Sequence, residues 1–354
     1  RKAKFVFDLG IMDEAHKTVG DGDKLFSHLI HDHNIEIRQR VFMTATERRF
    51  SGSSDKILSM DDPEVYGETF HLLTFKKAME VIEGERQILC DYNVITIGVS
   101  RQEVKELIQK NLFVRPDSGK WDEEMEADML AAMVALRKAM KEYPIKHAVS
   151  FHGSIKRAEQ FREYNDSFTE EFPAFGQLST FHVSGQTPTG TRSNIIKQFT
   201  QADRALVTNA RCLTEGVDVP SIDCVLFADP KKSKVDIVQA VGRALRPAQG
   251  KKLGYVILPV LHDEDSGELK ESGAFKEVID MLASLASQDE RIIDEFRAIS
   301  QGRKPAGSSR VRFEFGERIS AHIDINGEVL SRTSENVSAQ LSGELRSNST
   351  RTLA

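Results

Sequence analysis

The amino-acid sequence predicts an α/β protein made of two similar halves, followed by a mostly helical extension. Short apolar runs suited to buried strands recur along the chain and alternate with segments of helical periodicity. Several of these runs end directly in polar residues, as at 13–16 and 44–46. This pattern is typical of parallel sheets that carry function at the carboxyl ends of their strands. With 354 residues, the chain is long enough for two such cores.

The expected elements follow in chain order. The apolar run at 5–12 predicts a parallel strand buried on both faces. A segment rich in Ala, Met and Leu at 121–143 predicts a long helix, and Ser154 is a candidate cap for a later one. Further strands are expected at 40–43, 94–99, 147–151, 181–184, 205–208, 224–228 and 255–258, and further helices at 74–83, 154–168, 189–199, 235–245 and 274–299.

Composition suggests where the domains begin and end. Pro116 and Gly119 indicate a linker, and the alternating stretch at 311–315 indicates a strand outside the two halves. The expected division is a first domain at 1–113, a linker at 114–120, a second domain at 121–261, a helical extension at 262–301, and a tail or the start of a further domain at 302–354.

Bulk properties exclude some classes of protein. No apolar run is long enough to span a membrane, and the first residues have no secretory pattern. The three cysteines lie far apart, which is typical of reduced thiols in a cytoplasmic protein. A net charge of −6 argues against a generic basic coat for nucleic acid. This charge is compatible with a protein that binds the phosphates of nucleic acid through a few local basic and backbone groups.

An acidic tetrapeptide, Asp13-Glu14-Ala15-His16, stands at the end of the first apolar run. Asp13 can hold Mg²⁺ against the phosphates of a nucleotide, and Glu14 can orient and deprotonate an attacking water. The alternative is a solvated acidic turn. His28, His31 and His33 are a second candidate metal site, although no cysteine accompanies them.

A basic segment lies more than two hundred residues downstream. On a helix, Gln239, Arg243 and Arg246 would project from one face. Guanidinium groups presented in this way suit the charge of a transferring phosphoryl group, whereas the alternative is a basic surface stripe. In the loop that precedes this segment, Gly216 permits close approach of the backbone to a ligand, and Asp218 can bind a ribose hydroxyl or an arginine.

The order of these segments carries a resemblance to a known family. The DEAH tetrapeptide, Thr44-Ala45-Thr46, the EGVDVP loop at 215–220 and the QxxGRxxR segment at 239–246 closely resemble motifs II, III, V and VI of superfamily 2 helicases. Residues 149–154 are similar to motif IV. Within this superfamily, the residues of these motifs most resemble those of the type III restriction subunit-like helicases of prokaryotic defence systems. The resemblance covers about 5–259.

The resemblance implies two tandem RecA-like domains, the first incomplete at its N-terminus, with ATP and Mg²⁺ between them. DNA is the implied partner, RNA is the alternative, and nuclease or methyltransferase domains or subunits are compatible with it. The implied catalytic residues are Asp13 (also the Mg²⁺ ligand), Glu14, His16, Gln239, Arg243 and Arg246; the implied nucleotide-site residues are Gly216, Asp218, Thr44 and Thr46; the implied nucleic-acid contacts are Ser154, Arg211 and Thr214.

One expected element of such an ATPase is missing from the sequence. No G-x-x-x-x-G-K-[ST] loop occurs in these 354 residues, and Ala210 stands where many relatives carry a threonine. The resemblance therefore suggests a core that is truncated just upstream of its DEAH box and lacks the phosphate-binding half of its ATP site. A naturally non-hydrolysing binding module derived from a helicase is the alternative.

We predict that the purified 354-residue chain hydrolyses essentially no ATP, because it lacks the lysine and the backbone amides that hold the phosphates. A phosphate-release assay, with and without nucleic acid, measures this. Appreciable turnover stimulated by nucleic acid would contradict the prediction.

Overall fold

The computed structural model describes residues 5–21, 25–45, 47, 57–80, 87–109, 123–171, 173–210, 221–229, 234–248, 250–262, 273–286, 289, 291–292, 294–295 and 310–314. The chain divides into two compact units, at 1–73 and 74–354. Parallel sheets dominate both units, so the predicted α/β class is confirmed. Among the described residues, no helix is both long and apolar enough to cross a membrane.

The first unit contains a two-stranded parallel sheet. Strand β1 (Val6–Met12) pairs with β3 (Glu36–Phe42), and the register runs from Val6 opposite Glu36 to Met12 opposite Phe42. Strands β2 (Gly20–Asp21) and β4 (Ile57–Leu58) form a short antiparallel pair in the same unit. The unit also contains α1 (Pro63–Tyr66) and two 3₁₀ helices, Ala15–Thr18 and Leu25–Leu29.

Strand β1 is not buried as the sequence predicted. Phe5, Phe7, Leu9 and Ile11 alternate along one face of the strand, and each is more than half exposed. Parallel strands are normally covered on both faces, which is why the continuous apolar run predicted burial. The prediction of a buried strand is wrong for this chain, which instead presents an apolar face there.

The second unit is built around a seven-stranded sheet. Its strands are β5 (Asp91–Ser100), β6 (His147–Phe151), β7 (Ser179–Ser184), β8 (Ala205–Ala210), β9 (Cys224–Phe227), β10 (Leu253–His262) and β11 (Val311–Glu314). They lie in the order β11-β5-β10-β9-β6-β8-β7, and all of the strand pairs are parallel. The apolar side chains alternate between two core clusters, one on each face.

Helices cover both faces of this sheet. They are α2 (Phe75–Met79), α3 (Arg101–Gln109), α4 (Glu123–Glu142), α5 (Ile155–Glu171), α6 (Thr189–Gln201), α7 (Lys234–Ala244) and α8 (Gly273–Ala286), with a 3₁₀ helix at Pro173–Phe175. Helices α3, α4 and α5 contribute to one core cluster, and α6, α7 and α8 contribute to the other. This is the layered arrangement that parallel sheets require, because both of their faces must be removed from water.

The division between the units differs from the one expected. Strand β5 pairs with β10 over ten residues, from Asp91 opposite Leu253 to Ser100 opposite His262. The strand expected at 94–99 therefore belongs to the second unit, and the division lies at Leu73/Thr74. An apolar run shows that a strand forms, but it does not show which sheet the strand joins. The expected linker at 114–120 lies outside the described residues.

The described part of the tail also joins this sheet. Strand β11 pairs with β5, with Val311 opposite Val94. The carboxylate of Glu295 accepts hydrogen bonds from the backbone nitrogens of Arg310 (3.0 Å) and Val311 (3.3 Å) where the strand begins. Residues 311–314 thus extend the sheet of the second unit.

Candidate nucleotide and nucleic-acid sites

The acidic turn follows β1 directly. Glu14 has φ 53°, in the left-handed region that residues other than glycine seldom adopt. Its backbone nitrogen donates to Oδ1 of Asp13 at 2.9 Å. This conformation leaves Asp13 exposed and Glu14 partly exposed at the carboxyl end of the strand. Such a carboxylate fits Mg²⁺, which is usually held by one or two carboxylates together with water and substrate phosphates.

His16 links this turn to the segment that follows β3. Its imidazole is nearly buried, and Nδ1 lies 3.1 Å from Oγ1 of Thr44 and 3.3 Å from Oε2 of Glu14. The backbones of the two segments are also joined, because Ala15 N donates to Met43 O at 2.9 Å. The structure therefore brings together three of the predicted residues: Glu14, His16 and Thr44.

Helix α7 carries the second predicted group. Ile237, Ala240 and Val241 pack into the core, whereas Gln239 and Arg243 are only partly buried. The apolar side chains thus orient the helix so that its polar residues remain accessible.

The helical spacing in the sequence placed Arg246 on the same helix as Gln239 and Arg243, but Arg246 lies beyond the end of α7. The helix ends at Ala244, and Arg246 N donates to Arg243 O at 3.3 Å in a tighter turn. Pro247 follows directly. Since the residue before a proline is disfavoured in the helical conformation, the helix ends before it. Arg246 is therefore presented by a turn.

Backbone contacts hold this turn in place. Leu245 O accepts from Cys90 N at 2.7 Å, and Nζ of Lys251 donates to Arg246 O at 2.8 Å and to Ile222 O at 2.5 Å. Burial lowers the pKa of Lys251 below its ordinary value. None of these three bonds uses the side chain of Arg246.

The predicted nucleic-acid contact Ser154 lies between β6 and α5. Its Oγ accepts from Arg157 N at 3.2 Å, so it caps the helix as expected from the sequence. A hydroxyl that accepts in this way keeps its own hydrogen for donation, for example to a phosphate oxygen. His152, two residues before Ser154, is buried, and its backbone nitrogen donates to Asn209 O at 3.0 Å.

Two residues in this region were missed by the sequence analysis. Asp229 and Arg157 form a hydrogen-bonded ion pair beside Ser154. Asp229 closely follows the apolar strand β9, much as Asp13 follows β1. A carboxylate near the end of an apolar strand was therefore the signal that could have identified it.

The remaining predicted residues lie outside the described part of the chain, namely Thr46, Arg211, Thr214, Gly216 and Asp218. In the part that is described, no group of three His, Cys, Asp or Glu side chains is placed to hold a metal ion. The rings of His31 and His33 stack with their centroids 5.3 Å apart.

Comparison with known proteins agrees with this fold. Residues 131–248 match the family model "Helicase conserved C-terminal domain". The chain is 26% identical over 298 residues to "Probable helicase A859L" of African swine fever virus (strain Badajoz 1971 Vero-adapted), which covers 81% of this chain. Among solved structures, it is similar to an "ATP-dependent Type ISP restriction-modification enzyme LlaBIII bound to DNA", with a TM-score of 0.72 and 26% identity over 93% of this chain.

The chain spans 30% of the length of that viral protein and 24% of that of the restriction enzyme. The expected likeness to helicase cores of the restriction type is confirmed, and the structural match is to a Type ISP enzyme. The chain thus has a RecA-like α/β architecture with a helicase C-terminal domain at its centre, and it is similar to superfamily 2 helicases.

Proposed function

We propose that the whole protein containing this chain is an ATP-driven translocase on DNA, of restriction or defence type. The observation that carries the proposal is the contact of His16 with both Glu14 and Thr44. It joins an acidic turn suited to nucleotide hydrolysis with the segment after the neighbouring strand, so a change at one can be passed to the other. The choice of DNA is supported by the likeness to a restriction enzyme described as bound to DNA.

The residues of the first unit would carry out the hydrolytic step. Asp13 would hold Mg²⁺, which when bound offsets the negative charge of the phosphates. Glu14 would orient the attacking water and accept its proton. His16 and Thr44 would pass the state of the nucleotide to the rest of the protein, through their hydrogen-bond-length contact of 3.1 Å.

The second unit carries three residues suited to a phosphoryl group. Gln239, Arg243 and Arg246 would stabilise the charge of the transferring γ-phosphoryl group. Binding and hydrolysis would then alternate between two arrangements of the protein and advance it along the nucleic acid. Gly216 and Asp218 are assigned to the ribose or triphosphate, and Ser154, Arg211 and Thr214 to phosphates of the nucleic acid.

The loop that holds the phosphates would come from residues outside these 354. The exposed apolar face of β1, formed by Phe5, Phe7, Leu9 and Ile11, supports this assignment. A parallel strand of this composition is normally packed between other elements. We propose that the part of the protein supplying the phosphate loop covers this face.

The test is the ATPase rate of the whole protein with double-stranded DNA, single-stranded DNA or RNA. We expect DNA to raise the rate at least about tenfold, in a way that weakens as salt increases, because the contacts are mainly to phosphates. Chelation of Mg²⁺ should abolish turnover and serves as the control. Stimulation by RNA alone would favour an RNA helicase. Binding of nucleic acid without turnover under any condition would favour a non-hydrolysing module.

A further inference from the structure

The carboxylate of Asp229 is nearly buried just after β9 and is engaged on both oxygens. Oδ2 accepts from Gly153 N at 2.7 Å. Nε of Arg157 donates to Oδ1 at 2.8 Å and to Oδ2 at 2.7 Å, and Nη2 of Arg157 also donates to Oδ1. In addition, Asp229 N donates to Phe151 O at 3.3 Å. One side chain thus organises the end of β6 and the first turn of α5.

The bonded residues surround Ser154. Gly153 precedes it in the turn, and Arg157 is the residue whose backbone nitrogen its hydroxyl caps. The carboxylate of Asp229 bonds to Gly153, before Ser154, and to Arg157, after it. It therefore sets the direction of the turn and of the N-terminus of α5. Backbone amides at the start of a helix attract phosphate groups, so this orientation bears on any phosphate bound there.

Asp229 is also close in sequence to the helix that carries the predicted phosphoryl-binding residues. Helix α7 begins at Lys234, five positions after Asp229, and carries Gln239 and Arg243. Helix α7 also packs on the strand that Asp229 follows, since Ile237 and Val241 share a core with Val225 of β9. A displacement of the turn at 152–154 that moves Asp229 would reach α7 through this packing. A buried ion pair is by itself weak evidence for stability, which leaves room for a role in orientation.

We propose that Asp229 and Arg157 form a positioning pair that couples nucleic-acid contact at the turn around Ser154 to the placement of α7. The inference rests on the proposed function. Coupling of this kind is a free energy shared by two binding sites, so it appears as a change in the affinity for one ligand when the other is bound.

The test uses the whole protein and the affinity for fluorescein-labelled single-stranded DNA, with RNA of the same sequence in parallel. The dissociation constant is measured by anisotropy with and without a non-hydrolysable ATP analogue. For the wild type we expect the two constants to differ by about tenfold, within the usual range of such couplings. For Asp229→Asn we expect the ratio to fall to about one, because an amide cannot accept both sets of bonds.

Asp223→Asn is the matched control. Asp223 lies at the opposite end of the same strand, where its carboxylate accepts from Lys146 N and His147 N, both at 3.0 Å. It therefore tests loss of a comparable carboxylate that joins β9 to β6 without touching the turn at 152–154. We expect this variant to keep the wild-type ratio.

Arg157→Lys is the second variant, since it keeps the positive charge but loses the planar fork. It decides the matter if Asp229→Asn does not fold. A wild-type ratio in a folded Asp229→Asn or Arg157→Lys protein would overturn the coupling role, as would an equal loss in Asp223→Asn. If the wild type itself shows a ratio of one, the proposed ATP-driven function fails first, and the coupling role falls with it.

Discussion

In the whole protein, Arg246→Ala is expected to lower kcat for ATP hydrolysis by about 10³-fold or more while leaving nucleic-acid binding largely intact. An arginine that stabilises the transferring phosphoryl group contributes effects of about this size. The turn that carries Arg246 is held by Cys90 N on Leu245 O and by Lys251 on Arg246 O. Because these bonds involve only backbone atoms of the turn, the alanine variant should keep both of them. Steady-state ATPase and anisotropy assays measure the two effects.

Two further variants sharpen this prediction. Lys252→Ala removes an exposed cation six residues along the chain and should leave the rate unchanged, which controls for a general loss of positive charge. Arg246→Lys keeps the charge without the planar fork and should remain strongly impaired. A rate for Arg246→Ala within about tenfold of the wild type would show that Arg246 does not act on the phosphoryl group.

Glu14→Gln is expected to give the second largest loss, about 10²- to 10⁴-fold in kcat, since a positioned general base contributes about that much. Glutamine has the same shape and can retain the contact with His16, which lies 3.3 Å from Oε2. It cannot accept the proton of the attacking water. Binding of a fluorescent ATP analogue should therefore remain close to that of the wild type while turnover is lost.

Glu68→Gln is the control for Glu14→Gln, because Glu68 is an exposed carboxylate in the same unit. It should hydrolyse ATP at the wild-type rate. If Glu14→Gln weakens binding of the ATP analogue as much as it slows turnover, Glu14 contributes to nucleotide binding and is not the base. Turnover close to that of the wild type would remove Glu14 from the reaction altogether.

Local patterns in the sequence predicted the elements well. The helix expected at 121–143 is α4 at Glu123–Glu142, and the strand expected at 147–151 is β6 with the same bounds. The cap at Ser154 also forms as expected. These features depend on residues near one another in the chain, such as periodic apolar side chains or a hydroxyl three residues before a backbone nitrogen.

The candidate site was predictable to a similar extent. The contact of His16 with Thr44 joins two segments that each follow an apolar strand, and the resemblance to helicase motifs had paired them in advance. The position of Arg246 was not predicted correctly, because helical spacing was extended past the residue that precedes Pro247. The loop with Gly216 and Asp218 remains a prediction, since it lies outside the described residues.

By itself, the sequence determined the α/β class, the order of its strands and helices, and the motifs that resemble those of superfamily 2 helicases. Only the tertiary structure decided that β5 and β11 join the second sheet, that the apolar face of β1 is exposed, and that Asp229 meets Arg157 across 72 residues. The reason is physical: an apolar run specifies a strand through local periodicity, whereas its neighbours depend on packing between residues distant in the chain.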